Sequence, residues 1–295
     1  MHAAIVPVAP TVELKRILVA TDFSPASGPA LAVANLLAEH YGSELEIANA
    51  WSIPPLAATA LEMGVPASSV IQQAAEEQLN SLVKSERTKG FKVKGLLRFG
   101  DPVEYVRSLV QNELPDLLVV GTHGSTGVTH TVLGSVAENL IREVPCPVLT
   151  VGPNLEGRFL HANDLKEVLV PTDLSPHSLA VIPYLVAITA EFRANVHFLH
   201  VMPKESQADL RATAAVQERI EKLCNCYFSP RALTWSGVEF GDAAERILAA
   251  AGNQSADLIA MGVKPVGRFM TQLRTSLGYK IIASANCPVL TVKHA

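Results

Sequence analysis

Two stretches of this chain say nearly the same thing. Arg16–Pro25 reads RILVATDFSP and Glu167–Pro176 reads EVLVPTDLSP. Further on, Phe99-Gly100-Asp101 returns as Phe240-Gly241-Asp242, and Cys146–Val151 returns as Cys287–Val292, both CPVLTV. Three markers in the same order mean that one domain occurs twice. The period is far longer than the roughly 20–50 residues of a solenoid unit. The repeat therefore predicts two tandem domains, 14–152 and 165–293. Gly152–Asp164 (GPNLEGRFLHAND) reads as the linker, and the residues before Leu14 as a loose arm. A length of 295 residues agrees, at ~150 residues per domain.

Hydrophobic residues make up 48% of the chain and charged residues 18%, which is enough apolar surface for packed cores and excludes wholesale disorder. The net charge of −4 supplies no global basic field, so neither nucleic acid nor an anionic membrane is an expected partner. No run is long and apolar enough to span a bilayer. The N-terminus lacks a basic n-region and a long apolar run, and Pro7 and Pro10 break it, so it does not read as a signal peptide. Four cysteines fit a reducing compartment better than a disulfide framework. The expected location is cytoplasmic.

Within the first repeat, strands and helices alternate. Ile17–Thr21, Leu45–Trp51, Val93–Phe99, Leu117–Val120 and Val148–Val151 read as strands. Ala30–His40, Val70–Ser85, Val103–Gln111 and Val136–Glu143 carry helical apolar spacing. This order predicts an α/β fold, a parallel sheet covered by helices on both faces. The first repeat is longer by an insert, Ile53–Ser69, which reads either as a lid or as a plain surface loop.

In such sheets ligands sit at the carboxyl ends of the strands, near the switch in strand order. After the first strand comes Thr21-Asp22, whose carboxylate can accept from a ribose hydroxyl or a base amino group. After the fourth comes a glycine-rich turn, Gly121–Ser135 (GTHGSTGVTHTVLGS), leading into a helix. Backbone N–H groups in that setting can converge on a phosphate. Gly121 and Gly124 permit tight turns, Gly134 permits close approach to the helix, and Ser135 can cap it. The turn is neither a Walker A motif nor a GxGxxG fingerprint. On glycine count alone, a structural turn explains it equally well.

The combination is more specific. Gly-x-x-Gly, nine residues, Gly-Ser, a helix and CPVLTV resemble the universal stress protein family, as does the start LVATDFSP. The resemblance covers nearly the whole chain, in two copies. It implies two tandem nucleotide-binding domains (Rossmann-like, adenine nucleotide alpha hydrolase-like), each with a five-stranded parallel sheet. It also implies ATP bound by the glycine-loop members, with Mg2+ as a companion ion, and a role in stress survival. Carried over, Ala20, Thr21 and Asp22 would meet the nucleoside, and Ala50 would contact adenine through its backbone. Gly121, Thr122, His123 and Gly124 would wrap ribose and phosphates. Gly134, Ser135 and Val136 would hold the outer phosphates with backbone N–H groups.

The second copy departs. Gly262 aligns with Gly121 and Ser276 with Ser135, but Pro265 replaces Gly124 and Thr275 replaces Gly134. Proline has no N–H to donate, and threonine puts a β-branched side chain where a phosphate would approach. Asp173 keeps the place of Asp22. ATP is thus expected mainly in the first domain, with the second as its pairing partner. Lys264, Arg268, Arg274 and Lys280 could instead hold another anion, or form a solvated basic surface.

Other candidates weigh less. Cys224-Asn-Cys226 lacks partners at zinc-site spacing, and Cys146 and Cys287 read as packing. His123 could donate to a phosphate, and His130 reads as solvent-facing. Trp51 reads either as lining an adenine pocket or as packed against the insert. Three function classes follow: an ATP-binding stress-response or signalling module, a slow ATPase or autophosphorylating enzyme, and an interaction protein with an idle loop. Catalysis would need a base, and Asp22, the one candidate, is committed to the nucleoside in this reading. The CPVLTV strands are apolar, and the resemblance implies that they lie at a sheet edge, which invites pairing. The resemblance implies pairing of the two domains as a pseudo-dimer and of two chains as a homodimer.

Overall fold

A computed structural model of the chain describes residues 12–53, 67–123, 133–153, 155, 165–228, 233–264 and 276–294. The chain divides into two compact units, Leu14–Pro153 and a second built on Asn154–Ala295. In the first unit, strands β1 (Arg16–Ala20), β2 (Glu44–Trp51), β3 (Lys92–Phe99), β4 (Leu117–Gly121) and β5 (Val148–Val151) are all parallel. Their spatial order is β3-β2-β1-β4-β5. The order reverses between β1 and β4, so their carboxyl ends flank the crevice where an open α/β sheet takes its ligand.

Helices α1 (Gly28–Tyr41), α2 (Ala67–Thr88), α3 (Pro102–Glu113) and α4 (Ser135–Glu143) connect the strands. Alternation along β3 shows which face each covers. A side chain at Gly95 would meet Leu79 and Val83 of α2. Its neighbour Lys94 instead reaches Glu113 of α3 at 3.8 Å. Asn35 of α1 donates to Glu86 of α2 at 2.8 Å, and Arg107 of α3 pairs with Glu143 of α4 at 3.2 Å. The sheet is thus covered on both faces, as the α/β reading predicts. Buried on both sides, β1 and β4 are runs of Ile, Leu and Val with almost no exposure.

The second unit repeats the plan with β6 (Glu167–Pro171), β7 (Asn195–Met202), β8 (Thr234–Phe240), β9 (Leu258–Val263) and β10 (Val289–Lys293). They are parallel in the order β8-β7-β6-β9-β10. Helices are α5 (Pro176–Leu179), α6 (Ile182–Phe192), α7 (Leu210–Tyr227), α8 (Ala243–Asn253) and α9 (Leu277–Ser284). The repeat extends to single bonds. Asp116 Oδ2 accepts the N–H groups of Lys15 and Arg16 at 2.8 and 2.9 Å, and Asp257 Oδ2 accepts those of Lys166 and Glu167, both at 2.9 Å. Each brace fixes the start of the unit's first strand beside its fourth.

Expected elements fall within a few residues of the observed ones. α2 begins at Ala67, so the expected insert runs into a helix; residues 54–66 lie outside the described set, as do Gly124, His130, Pro265, Arg268, Arg274 and Thr275.

Candidate functional site

The loop after β1 is built by its own side chains. Thr21 Oγ1 accepts the Phe23 N–H at 3.0 Å and hydrogen-bonds Ser27 Oγ at 2.9 Å. Asp22 Oδ1 accepts both the N–H and the hydroxyl of Ser24, at 3.0 and 2.6 Å. These bonds hold Phe23 in the left-handed region, at φ 59°, which a bulky residue rarely adopts. Asn49 of β2 donates to Thr21 O at 2.8 Å and ties the loop to the next strand.

The end of β4 is built by the backbone. Thr122 N–H bonds Val151 O at 2.9 Å and Gly134 N–H bonds Thr122 O at 2.8 Å, so the glycine turn leaves and returns at one point. A Cβ on Gly134 would stand 3.2 Å from Thr122 O, so glycine suits this approach. Thr122 Oγ1 lies 2.9 Å from His123 Nδ1. Helix α4 then starts with Gly134 as its N-cap, a residue with no side chain to cap the first turn. The leading N–H groups of a helix have no intrahelical partner and carry the positive end of the helix dipole; here the residues that bear them, Ser135, Val136 and Ala137, line a cavity.

These two ends enclose a cavity of about 390 Å³. Ala20, Thr21, Asp22, Ala50, Gly121, Thr122, His123, Gly134, Ser135 and Val136 all line it. These are all the residues singled out from the sequence, apart from Gly124. The sequence reading missed further lining residues, among them Ser52 and, on the apolar side, Ala48, Val106 and Val120. Ala48 and Ala50 lie two residues apart on one face of β2, so the period of a strand was the signal that could have found Ala48. Trp51, on the other face, packs edge-on against Phe99 at 4.8 Å and is not among the lining residues.

The corresponding cavity of the second unit is about 210 Å³. Its first loop is nearly a copy. Thr172 Oγ1 accepts from Leu174 N–H at 2.9 Å and bonds Ser178 Oγ at 3.0 Å, Asp173 Oδ1 accepts from Ser175 N–H at 2.9 Å, and Leu174 sits at φ 60°. Burial pushes the Asp173 carboxyl up, but hydrogen bonds from Ser175 and Ser178 and the nearby Lys264 charge outweigh it, leaving it at about 2. His200 stands where Asn49 stands and donates Nδ1–H to Thr172 O at 2.8 Å. Lys264, in the place of His123, lines this cavity.

Among the described residues, no group of three or more His, Cys, Asp or Glu side chains could hold a metal ion, and no helix is long and apolar enough to cross a membrane. None of the four cysteines is in a disulfide, and burial raises the Cys224 thiol above its ordinary value.

A parallel β3-β2-β1-β4-β5 sheet with its cavity at the β1/β4 switch defines a nucleotide-binding type of α/β unit. The chain belongs to the universal stress protein family, whose profile matches residues 13–152 and 234–293. A universal stress protein of Methanocaldococcus jannaschii is 29% identical over 144 residues, covering 46% of this chain and 81% of that protein. One from Thermus aquaticus is 32% identical over 143 residues, covering 46% of this chain and 98% of that protein. The crystal structure of a universal stress protein from Archaeoglobus fulgidus covers 97% of this chain and 98% of its own, with a TM-score of 0.75 at 21% identity, and so shares the fold. The profile omits residues 153–233, which include β6 and β7 of the second unit.

Proposed function

We propose that the first unit binds ATP in the cavity between β1 and β4, and that the protein works as an ATP-responsive stress or signalling module. One observation carries this reading: an apolar slot, a polar loop and an uncapped helix N-terminus converge on one cavity. Its volume lies in the range of ligand pockets, roughly 300–1,000 Å³. The chemistry fits the ligand from end to end. Ala48, Ala50, Val106 and Val120 offer an apolar slot for a base. The Thr21-Asp22 turn offers acceptors to a ribose. The α4 N-terminus, with Ser135 and Val136 at its start, offers N–H donors to phosphate oxygens, and Gly121, Thr122, His123 and Gly134 surround the path between. Mg2+ would travel with the phosphates. Gly124 enters through the family resemblance alone.

Binding is favoured over hydrolysis by the bonding of Asp22, whose Oδ1 already accepts twice from Ser24. ATP would act by preferring one conformational or assembly state over another. Pairing through the apolar terminal strands β5 and β10 belongs to the same reading, and light scattering on the full chain would report a homodimer. The direct test is mass spectrometry of nucleotide released from the purified full chain on heat denaturation. ATP at about one per chain supports the reading; nucleotide-free protein that also fails to take up added ATP refutes it.

A further inference from the structure

We infer that the second unit's nucleoside slot is filled by its own side chains, and that five positions decide which unit takes nucleotide. The inference rests on the reading of the first cavity as a nucleotide site. Strand register and helix caps put the positions in correspondence. Ala48 pairs with Ala20 in β2/β1, and Leu199 pairs with Pro171 in β7/β6. Two residues on, Ala50 corresponds to Val201. Val120, opposite Thr150, corresponds to Met261, opposite Thr291. Val106 lies five residues after the cap Asp101, as Ile247 does after Asp242. Val136 follows Ser135, and Leu277 follows Ser276.

All ten residues line their respective cavities, and in all five pairs the second unit carries the larger side chain. Together the changes add about eight non-hydrogen atoms, on the order of a purine ring, in a place where packed interiors feel a single methylene. The smaller second cavity agrees with these changes, although at the pair Pro102 and Ala243 the first unit has the larger side chain.

A backbone contact and a side-chain cap add to the closure. A Cβ built on Gly262 would stand 1.9 Å from His177 O and 2.8 Å from the Ser178 backbone. At Gly121 the corresponding carbonyl, Ala26 O, would be 3.4 Å away. The turn after β6 has therefore closed onto β9. The anion end is also occupied: Ser276 is the N-cap of α9 and its Oγ accepts the Tyr279 N–H at 3.2 Å, whereas α4 has no side-chain cap. The base slot is thus lined by larger side chains, and one N–H of the helix N-terminus is taken up from within.

The test is photolabelling of the full chain with 2-azido-ATP, followed by peptide mapping, on three proteins. The parent is expected to label only on first-unit peptides. The opened variant Leu199→Ala/Val201→Ala/Met261→Val is expected to gain label on second-unit peptides. The transplanted variant Ala48→Leu/Ala50→Val is expected to lose first-unit label at least tenfold while keeping its circular dichroism spectrum. Label on both units of the parent overturns the closure and leaves the ATP reading standing. Label only on the second unit of the opened variant supports the closure and refutes the ATP reading. No label on any of the three overturns both. Should the opened variant not fold, the transplant decides, and undiminished first-unit label there overturns the closure.

Discussion

The two cavities of this chain share a loop and differ in a floor. The Thr-Asp-x-Ser-Pro turns after β1 and β6 make matching bonds, down to a left-handed Phe23 and a left-handed Leu174. Around those turns the first unit keeps Ala48, Ala50 and Val120, and the second has Leu199, Val201 and Met261. The comparison separates two roles that the motif alone confounds. The turn is architecture, because it persists where the slot is filled. The small side chains and the uncapped helix are the features that differ, so they are the ones to associate with a ligand. Asp173 is explained by the turn it holds, without any nucleoside.

The largest expected effect tests the closure of the turn onto β9. Gly262→Ala should cost about 3 kcal/mol or more, since overpacking a tight site costs at least 1–3 kcal/mol and here the obstacle is backbone. Gly121→Ala, whose nearest obstacles lie 3.3 and 3.4 Å away, should cost about 1 kcal/mol or less. Chemical denaturation of both variants checks the difference, and equal costs would break it.

Next comes Gly134→Thr, which gives the first unit the second unit's residue. It should weaken ATP by about 30-fold, or about 2 kcal/mol, while leaving adenosine affinity nearly unchanged. Calorimetric titration of the two ligands reads this directly; equal losses for both would place the effect outside the phosphate end.

A smaller and deliberately symmetrical pair sharpens the shared architecture. Asp116→Ala and Asp257→Ala each remove the acceptor of two backbone N–H groups, one of them open to water, and each should cost about 1 kcal/mol. The two costs should agree within about 0.5 kcal/mol if the units are built alike.

The smallest effect is a pH dependence. Asp173 has a carboxyl near 2 in the folded chain against an ordinary 3.8. A depressed carboxyl stabilises the fold above the unfolded value and loses that contribution as pH falls through the folded one. Stability of the second unit should therefore decline from about pH 4 toward pH 2, and Asp173→Asn should flatten that slope. Thermal melts between pH 5 and 2 on parent and variant measure it.

Much of this was legible in the sequence. Alternating strands and helices gave the α/β order because buried parallel strands are unbroken apolar runs and the helices carry a 3.6-residue period. The strand ends and the family resemblance together pointed to residues that line one cavity. Three things were hidden. Ala48 and Val106 carry no chemistry, and their part in the difference shows only when strand register sets Ala48 against Leu199 and the helix caps set Val106 against Ile247. Gly262 matches Gly121 letter for letter, yet a carbonyl two strands earlier in the chain has moved onto it. Ser135 and Ser276 are also identical, yet one is the first residue of its helix and the other is the cap. The sequence argument against the second site leaned on Pro265 and Thr275, which lie outside the described residues; the filled slot argues the same point from Leu199, Val201 and Met261.

One measurement tests the central claim most directly: the stoichiometry of ATP bound to the full chain, by equilibrium dialysis at saturating ATP. The account predicts one ATP per chain, abolished by Ala48→Leu/Ala50→Val in the first unit. Two equivalent sites per chain, or one site indifferent to that substitution, would contradict it.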